Sequence, residues 1–270
     1  MSDYMTFIDG QIENEASFRA MLPDPDSLNF WQRVQHQQMV EMWMTQADQG
    51  GIYEWPQVGD DYHDGMLRDM DFRGKTICRA YPDEYRTNCC GLSLEHFFRS
   101  WRAALTFYDL FESNVDVSVE DWKVAKGNFF VYRDHPEYHD GGGKGAVYLW
   151  QKFFENIKRL RGPAELQNVQ NKLEVQDTAY TTDPYQMKFG DYIQFQNKPS
   201  PIQSGHASIF VGLEQRNTSS GRTFDAVRAF NSNVRNDYKM PPGIGFCWYT
   251  IGRVDRDTGH TRIIKAGGPR

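Results

Sequence analysis

The sequence predicts an α+β fold, with helices first and an antiparallel sheet after them. Two changes of pattern carry this. Across residues 27–49 and 89–108 apolar residues recur at helical steps, whereas from 191 to 266 short β-rich runs alternate with turn signals. A third observation sets the scale. The 270 residues (31.4 kDa) suffice for one large core or two small ones, and 39% hydrophobic with 14% aromatic residues at a mean hydropathy of −0.69 describe a soluble globular chain.

The first 27 residues are mixed and polar and end in the turn-rich Leu22-Pro23-Asp24-Pro25-Asp26. From Ser27 to Gln49 the pattern is helical, with Phe30, Val34, Met39, Met42 and Met44 among Gln and Glu, Asp26 or Ser27 as cap, and Gly50-Gly51 as stop. Residues 52–87 lack a sustained period and read as a long irregular loop, the kind that lines a site. Its aromatics (Tyr53, Trp55, Tyr62, Phe72, Tyr81, Tyr85) suit a cleft wall. Cys89 to Tyr108 is the clearest helix, its apolar stripe formed by Leu94, Phe97, Phe98, Trp101, Leu105 and Tyr108. Within 115–187 the sequence predicts one helix, Ala146 to Leu160, ended by Gly162-Pro163. The glycine run 141–145 before it lacks the Gly-Lys-Ser/Thr ending of a phosphate loop and reads as a flexible loop. Five strands follow, at Asp191–Phe195, His206–Leu213, Thr223–Asn231, Phe246–Val254 and Thr261–Ala266. Turns between them imply a meander in which each strand pairs with the next.

Composition excludes several classes. With 30 Lys+Arg against 36 Asp+Glu, a net charge of −6 and a pI near 5.7, no broad basic surface for nucleic acid is expected. No apolar run reaches the ~20 residues of a membrane span, so no membrane partner is expected. The opening Met-Ser-Asp-Tyr-Met lacks a basic and then apolar leader, which points to the cytoplasm or to export by a route that reads no leader. Four cysteines (78, 89, 90 and 247) are too few for a disulfide scaffold, and the adjacent pair has the wrong spacing for a zinc knuckle; no metal or other cofactor is expected. Each thiol is then either buried and inert or reactive.

The chemistry concentrates in Arg86-Thr87-Asn88-Cys89-Cys90-Gly91-Leu92, where the loop meets the strongest helix. A thiol at a helix start is favoured as thiolate by the unpaired N–H groups and the dipole, Asn88 can cap the helix, and the Cys89 amide can help hold an oxyanion. The alternative nucleophile, Cys90, sits about 100° further round the helix. Of the seven histidines, His36 and His96 fall inside helices and read as surface or capping residues, and His63 and His260 lie in turns. His135 and His139, flanked by Asp134 and Asp140, form a weakly spaced metal candidate. His206 opens a buried strand and has the fixed setting a base needs. The orienting third residue is sought at the end of the next strand, where Asn231 and Asn233 share a face; Asn231, still inside the strand, is preferred.

The segment Asn88-Cys89-Cys90-Gly91-Leu92 resembles the Asp-Cys-Ser-Gly-Phe/Leu motif of NlpC-type peptidases, a circularly permuted papain-like family. Gly190-Asp191-Tyr192-Ile193-Gln194-Phe195 is similar to that family's Gly-Asp-Leu strand, and Gly205-His206-Ala207-Ser208-Ile209-Phe210-Val211-Gly212 to its His-Val-Gly-Ile-Tyr-Ile-Gly strand. The resemblance implies a papain-like domain over 81–270 with an inserted segment at about 115–187, preceded by a helical and loop extension over 1–80. It implies a Cys89–His206–Asn231 site, with Tyr81, Tyr85, Asn88 and Cys90 contacting substrate. The implied activity is hydrolysis of an amide bond through a thioester, in a small peptide or peptidoglycan fragment. Acyl transfer and deamidation use the same site, and a non-catalytic binding protein on the same fold is the competing class. Asn88 and Cys90 stand where the family has Asp and Ser.

Overall fold

The structure, a computed structural model, describes residues 6–7, 15–49, 52–53, 64–80, 86–108, 117–129, 143–174, 184–197, 204–217, 223–230, 232, 246–250 and 262–267. These build an α+β molecule. In chain order they are β1 (Thr6–Phe7), α1 (Glu15–Ala20), α2 (Phe30–Gln49), β2 (Ile52–Tyr53), β3 (Met70–Phe72), β4 (Lys75–Cys78), β5 (Arg86–Thr87), α3 (Cys89–Phe107), α4 (Val119–Phe129), α5 (Gly143–Arg161), α6 (Pro163–Leu173), β6 (Tyr192–Asn197), β7 (Ser204–Asn217), β8 (Thr223–Phe230), β9 (Phe246–Thr250) and β10 (Arg262–Gly267).

The six-stranded sheet runs in the order β1-β9-β8-β7-β6-β10, antiparallel throughout. Strands β6 to β9 form the expected meander. The last strand departs from it: β10 crosses back to pair with β6, and β1 takes the edge beside β9. Helix α5 packs against both β6 and β10 and so gives β10 its reason to be there.

Helix α2 begins later than the sequence suggests. Pro25–Ser27 form a separate 3-10 turn, and the cap is Asn29, whose Oδ1 accepts from Gln32 N at 2.9 Å while Gln32 Oε1 accepts from Asn29 N at 3.2 Å. This is a capping box in which each residue satisfies the other's orphan N–H. The stretch read as an irregular loop contains a hairpin, β3–β4, turning at Arg73 and Gly74, both with positive φ. Three helices, α1, α4 and α6, lie where the sequence predicts none. Pro163 ends α5 but opens α6 as its first residue, where its missing N–H costs nothing. The glycine run is corrected too: Gly143 and Gly145 belong to α5 and are buried. A Cβ on Gly145 would lie 2.2 Å from the Phe129 ring, so glycine lets α4 and α5 touch.

One hydrophobic core joins helices and sheet. Phe18 of α1 stacks on Trp43 and meets Phe230 of β8 edge-on, and Trp31 of α2 meets Phe97 of α3 and Trp150 of α5. Helix α3 is buried along nearly its whole length and packs on β7, whose Ala207, Ile209 and Val211 enter this core.

Candidate functional site

Helix α3 starts where the sequence places it. Asn88 has extended backbone angles, and its Oδ1 accepts from Gly91 N at 2.7 Å. Leu92 N then bonds to the Asn88 carbonyl at 2.9 Å as the first intrahelical link. The segment 64–67 lies across this first turn. Gly65 O accepts from Asn88 N at 3.1 Å, and a Cβ on Gly91 would fall 2.1 Å from Gly65 O and 2.4 Å from Asp64 O. Gly91 is therefore glycine because another stretch of backbone occupies its side-chain position. Glu95, one turn on, fastens the same segment: its Oε2 accepts from Leu67 N at 2.6 Å, and its other oxygen pairs with Arg99.

Cys89 occupies the first position of α3 and is fully buried. Seven residues separate it from His96, so the two share a helix face. That face meets the sheet, for His96 bonds to Tyr192 of β6 and lies against Phe230 of β8. Cys90, also fully buried, has its Sγ 3.8 Å from that of Cys89. The end of β8 reaches the same place. Ser232, two residues beyond Phe230, hydrogen-bonds through Oγ to Thr87 Oγ1, immediately before the cap. The Cys89 end of α3 thus lies beside the end of β8, where Phe230 pairs with Ile209 of β7.

His206 is a residue of β7, paired with Phe195 of β6. It stands one residue before Ala207, which enters the core with Ile209 and Val211. Its side chain, and the whole of Asn231, Asn233, Tyr81, Tyr85, His135 and His139, lie outside the described residues. Asn88 caps the helix that Cys89 begins, and Cys90 follows Cys89 in its first turn.

His36 and His96 are not surface residues. Both are buried, and His96 joins three elements. Its Nε2 lies 2.9 Å from the Gln35 backbone carbonyl, which only accepts, so Nε2 carries the proton and Nδ1 accepts from the Tyr192 hydroxyl at 2.9 Å. Burial, with a smaller contribution from Arg99, lowers its pKa from 6.5 to about 4 against the opposing effect of the Gln35 carbonyl. His96 is therefore a neutral strut at pH 7. Gln35 extends the network by donating from Nε2 to the Gly190 carbonyl at 2.7 Å. Gly190 needs its positive φ of 87°, and a Cβ there would strike Gln35.

A buried ion pair braces the hairpin beside the site. Asp64, 1% exposed, takes Lys126 Nζ of α4 at 2.7 Å and accepts from Arg79 N at 2.9 Å. Burial, and next the Asp64 carboxylate, raise the Cys78 thiol far above its ordinary range, which makes it inert. Among the described residues no three His, Cys, Asp or Glu gather to hold a metal ion, and no helix is long and apolar enough to cross a membrane. Comparisons with protein-family models, curated proteins and solved structures find no match to this chain.

Proposed function

We propose that the protein is a cysteine hydrolase of papain-like architecture that cleaves an amide bond in a peptide or peptidoglycan fragment. The observation that carries the reading is the setting of Cys89: first residue of a capped, buried helix, on the face toward the sheet, with Thr87 and Ser232 tying that helix start to the end of β8. In this reading His206 takes the Cys89 proton, and the sulfur bonds to the substrate carbonyl carbon. His206 returns the proton to the leaving amine, and water hydrolyses the remaining thioester. Asn231 orients the imidazole. An amine in place of water makes the same site an acyltransferase, and a glutamine side chain as substrate makes it a deamidase.

A second reading, a non-catalytic binding protein on this fold, is favoured by one observation: Cys89 is fully buried.

Iodoacetamide labelling between pH 5 and 9, with the modified cysteine located by mass spectrometry, decides between them. The hydrolase reading expects fast labelling of Cys89 below pH 7 that slows in His206→Ala. Slow labelling that the substitution leaves unchanged selects the binding protein.

A further inference from the structure

Two adjacent cysteines open α3, and their sulfurs face one another. Successive side chains on a helix project about 100° apart, which carries the ends of neighbouring side chains away from each other. Cys89 and Cys90 do the opposite. Their Sγ atoms stand 3.8 Å apart, no further than the two Cα atoms of a trans peptide, which are roughly 3.8 Å apart. The sulfurs are therefore in contact through the rotamers they adopt, and the helix alone does not impose it. Both residues are fully buried, and neither is bridged. Burial keeps each thiol from the cysteine of a second protein and leaves it against the other. Cys78 is a different case, a thiol held protonated by burial and by the Asp64 carboxylate.

We propose that Cys89 and Cys90 are a peroxide-sensitive pair, oxidised reversibly to a disulfide between sequence neighbours. This stands apart from the hydrolase reading, since it concerns what the two sulfurs do to each other; where that reading holds, the disulfide withdraws the nucleophile. In the first step the Cys89 sulfur bonds to one peroxide oxygen as the O–O bond breaks and hydroxide leaves. In the second the Cys90 sulfur bonds to the Cys89 sulfur, the S–O bond breaks, and a second hydroxide leaves. The two thiol protons convert both hydroxides to water, and the two electrons lost by the sulfurs are gained by the peroxide. Peroxide is scarcely larger than water and reaches a buried helix end through local opening. The bridge is labile by geometry. Ordinary disulfides join Cα atoms about 4.4–6.8 Å apart, whereas the peptide bond holds these two at roughly 3.8 Å, so the bond is strained and easily reduced. Drawing the sulfurs in to about 2 Å also pulls on a helix turn fixed by the Asn88 cap and by Ser93 Oγ, which donates to the Cys89 carbonyl at 2.8 Å.

Trypsin releases the peptide Thr87–Arg99, which holds both cysteines and no methionine, so its mass reports these thiols alone. The folded protein is treated with hydrogen peroxide, then denatured, alkylated with iodoacetamide and digested. The expected peptide is lighter by two hydrogen atoms and carries no alkyl group. Dithiothreitol added before denaturation restores the doubly alkylated form. The oxidised protein should melt at a lower temperature and recover on reduction. In Cys90→Ser the remaining thiol has no resolving partner, and the peptide should instead gain two or three oxygens that dithiothreitol does not remove. Cys90→Ala serves should the serine variant fold poorly, which circular dichroism reports. A wild-type peptide that gains oxygens irreversibly, or that stays fully alkylatable in peroxide sufficient to oxidise the denatured chain, overturns the proposal. So does a bridge from either sulfur to a cysteine elsewhere, or a disulfide that raises the melting temperature and is thereby a staple. Labelling of the reduced protein with iodoacetamide tests the hydrolase reading separately, so either can fail alone.

Discussion

Thr87 and Ser232, 145 positions apart, share a buried hydroxyl–hydroxyl hydrogen bond that joins the residue before the α3 cap to the end of β8. Either hydroxyl alone would be an unpaired polar group in the interior. Thr87→Val and Ser232→Ala should each cost about 1–3 kcal/mol. The double variant should cost no more than the worse single one, because no hydroxyl is then stranded. Urea denaturation of the four proteins checks this; additive losses would mean the contact contributes nothing.

His96 gives the fold a pH dependence with a definite sign. Its pKa of about 4 in the folded protein lies below the 6.5 of an exposed imidazole, so the unfolded chain binds the proton more readily. The stability it contributes is complete above pH 6.5 and is lost as pH falls from 6.5 toward 4, by at most roughly 3 kcal/mol. His96→Gln should lower stability at pH 7 and flatten its slope across that window. Urea midpoints at half-unit pH intervals measure both.

Gly91→Ala sets two effects against each other. Alanine favours a helix over glycine by about 1 kcal/mol. The new methyl would sit 2.1 Å from Gly65 O and 2.4 Å from Asp64 O, both backbone atoms that cannot rotate away. Overpacking of this kind costs about 1–3 kcal/mol, so a net loss is expected, seen as a lower melting temperature. Gly74→Ala, with nothing within 4 Å but a φ of 71°, isolates the backbone strain and should cost about 1–2 kcal/mol.

Lys126→Met removes from the buried Asp64 carboxylate the ammonium that lies 2.7 Å away. The Arg79 amide remains as one partner, which does not neutralise the charge. The expected loss is about 3–5 kcal/mol at pH 7. Adding Asp64→Asn should recover part of it, and thermal melts of the single and double variants report the difference.

What the sequence reveals depends on whether the cause is local. Helix α3 was legible because stripe and cap lie within twenty residues of each other, and β6 to β9 because each strand pairs with its sequence neighbour. The place of β10 was not, since it is set by α5 lying against β6. Helix α4 buries only Trp122, Ala125 and Phe129 among charged residues, too thin a stripe to stand out. Gly145 reads as a loop residue because its reason, close contact with α4, sits on another helix. His96 looked peripheral because its partners, Gln35 and Tyr192, are 61 and 96 positions away. At the candidate site the cap at Asn88 was written in the sequence, whereas the crossing of segment 64–67 over Gly91 was not.

The edge strand β1 sets Thr6 opposite Trp248, and β10 sets Ile263 opposite Phe195. On the ribosome, therefore, the first strand emerges long before the strand it pairs with exists, and β6 must wait for β10 with one edge open. Such pairings close large loops and are slow to form. The nascent chain therefore carries β1 unpaired until β9 is made and the edge of β6 open until β10 is made, and open edges of this kind invite pairing with other chains.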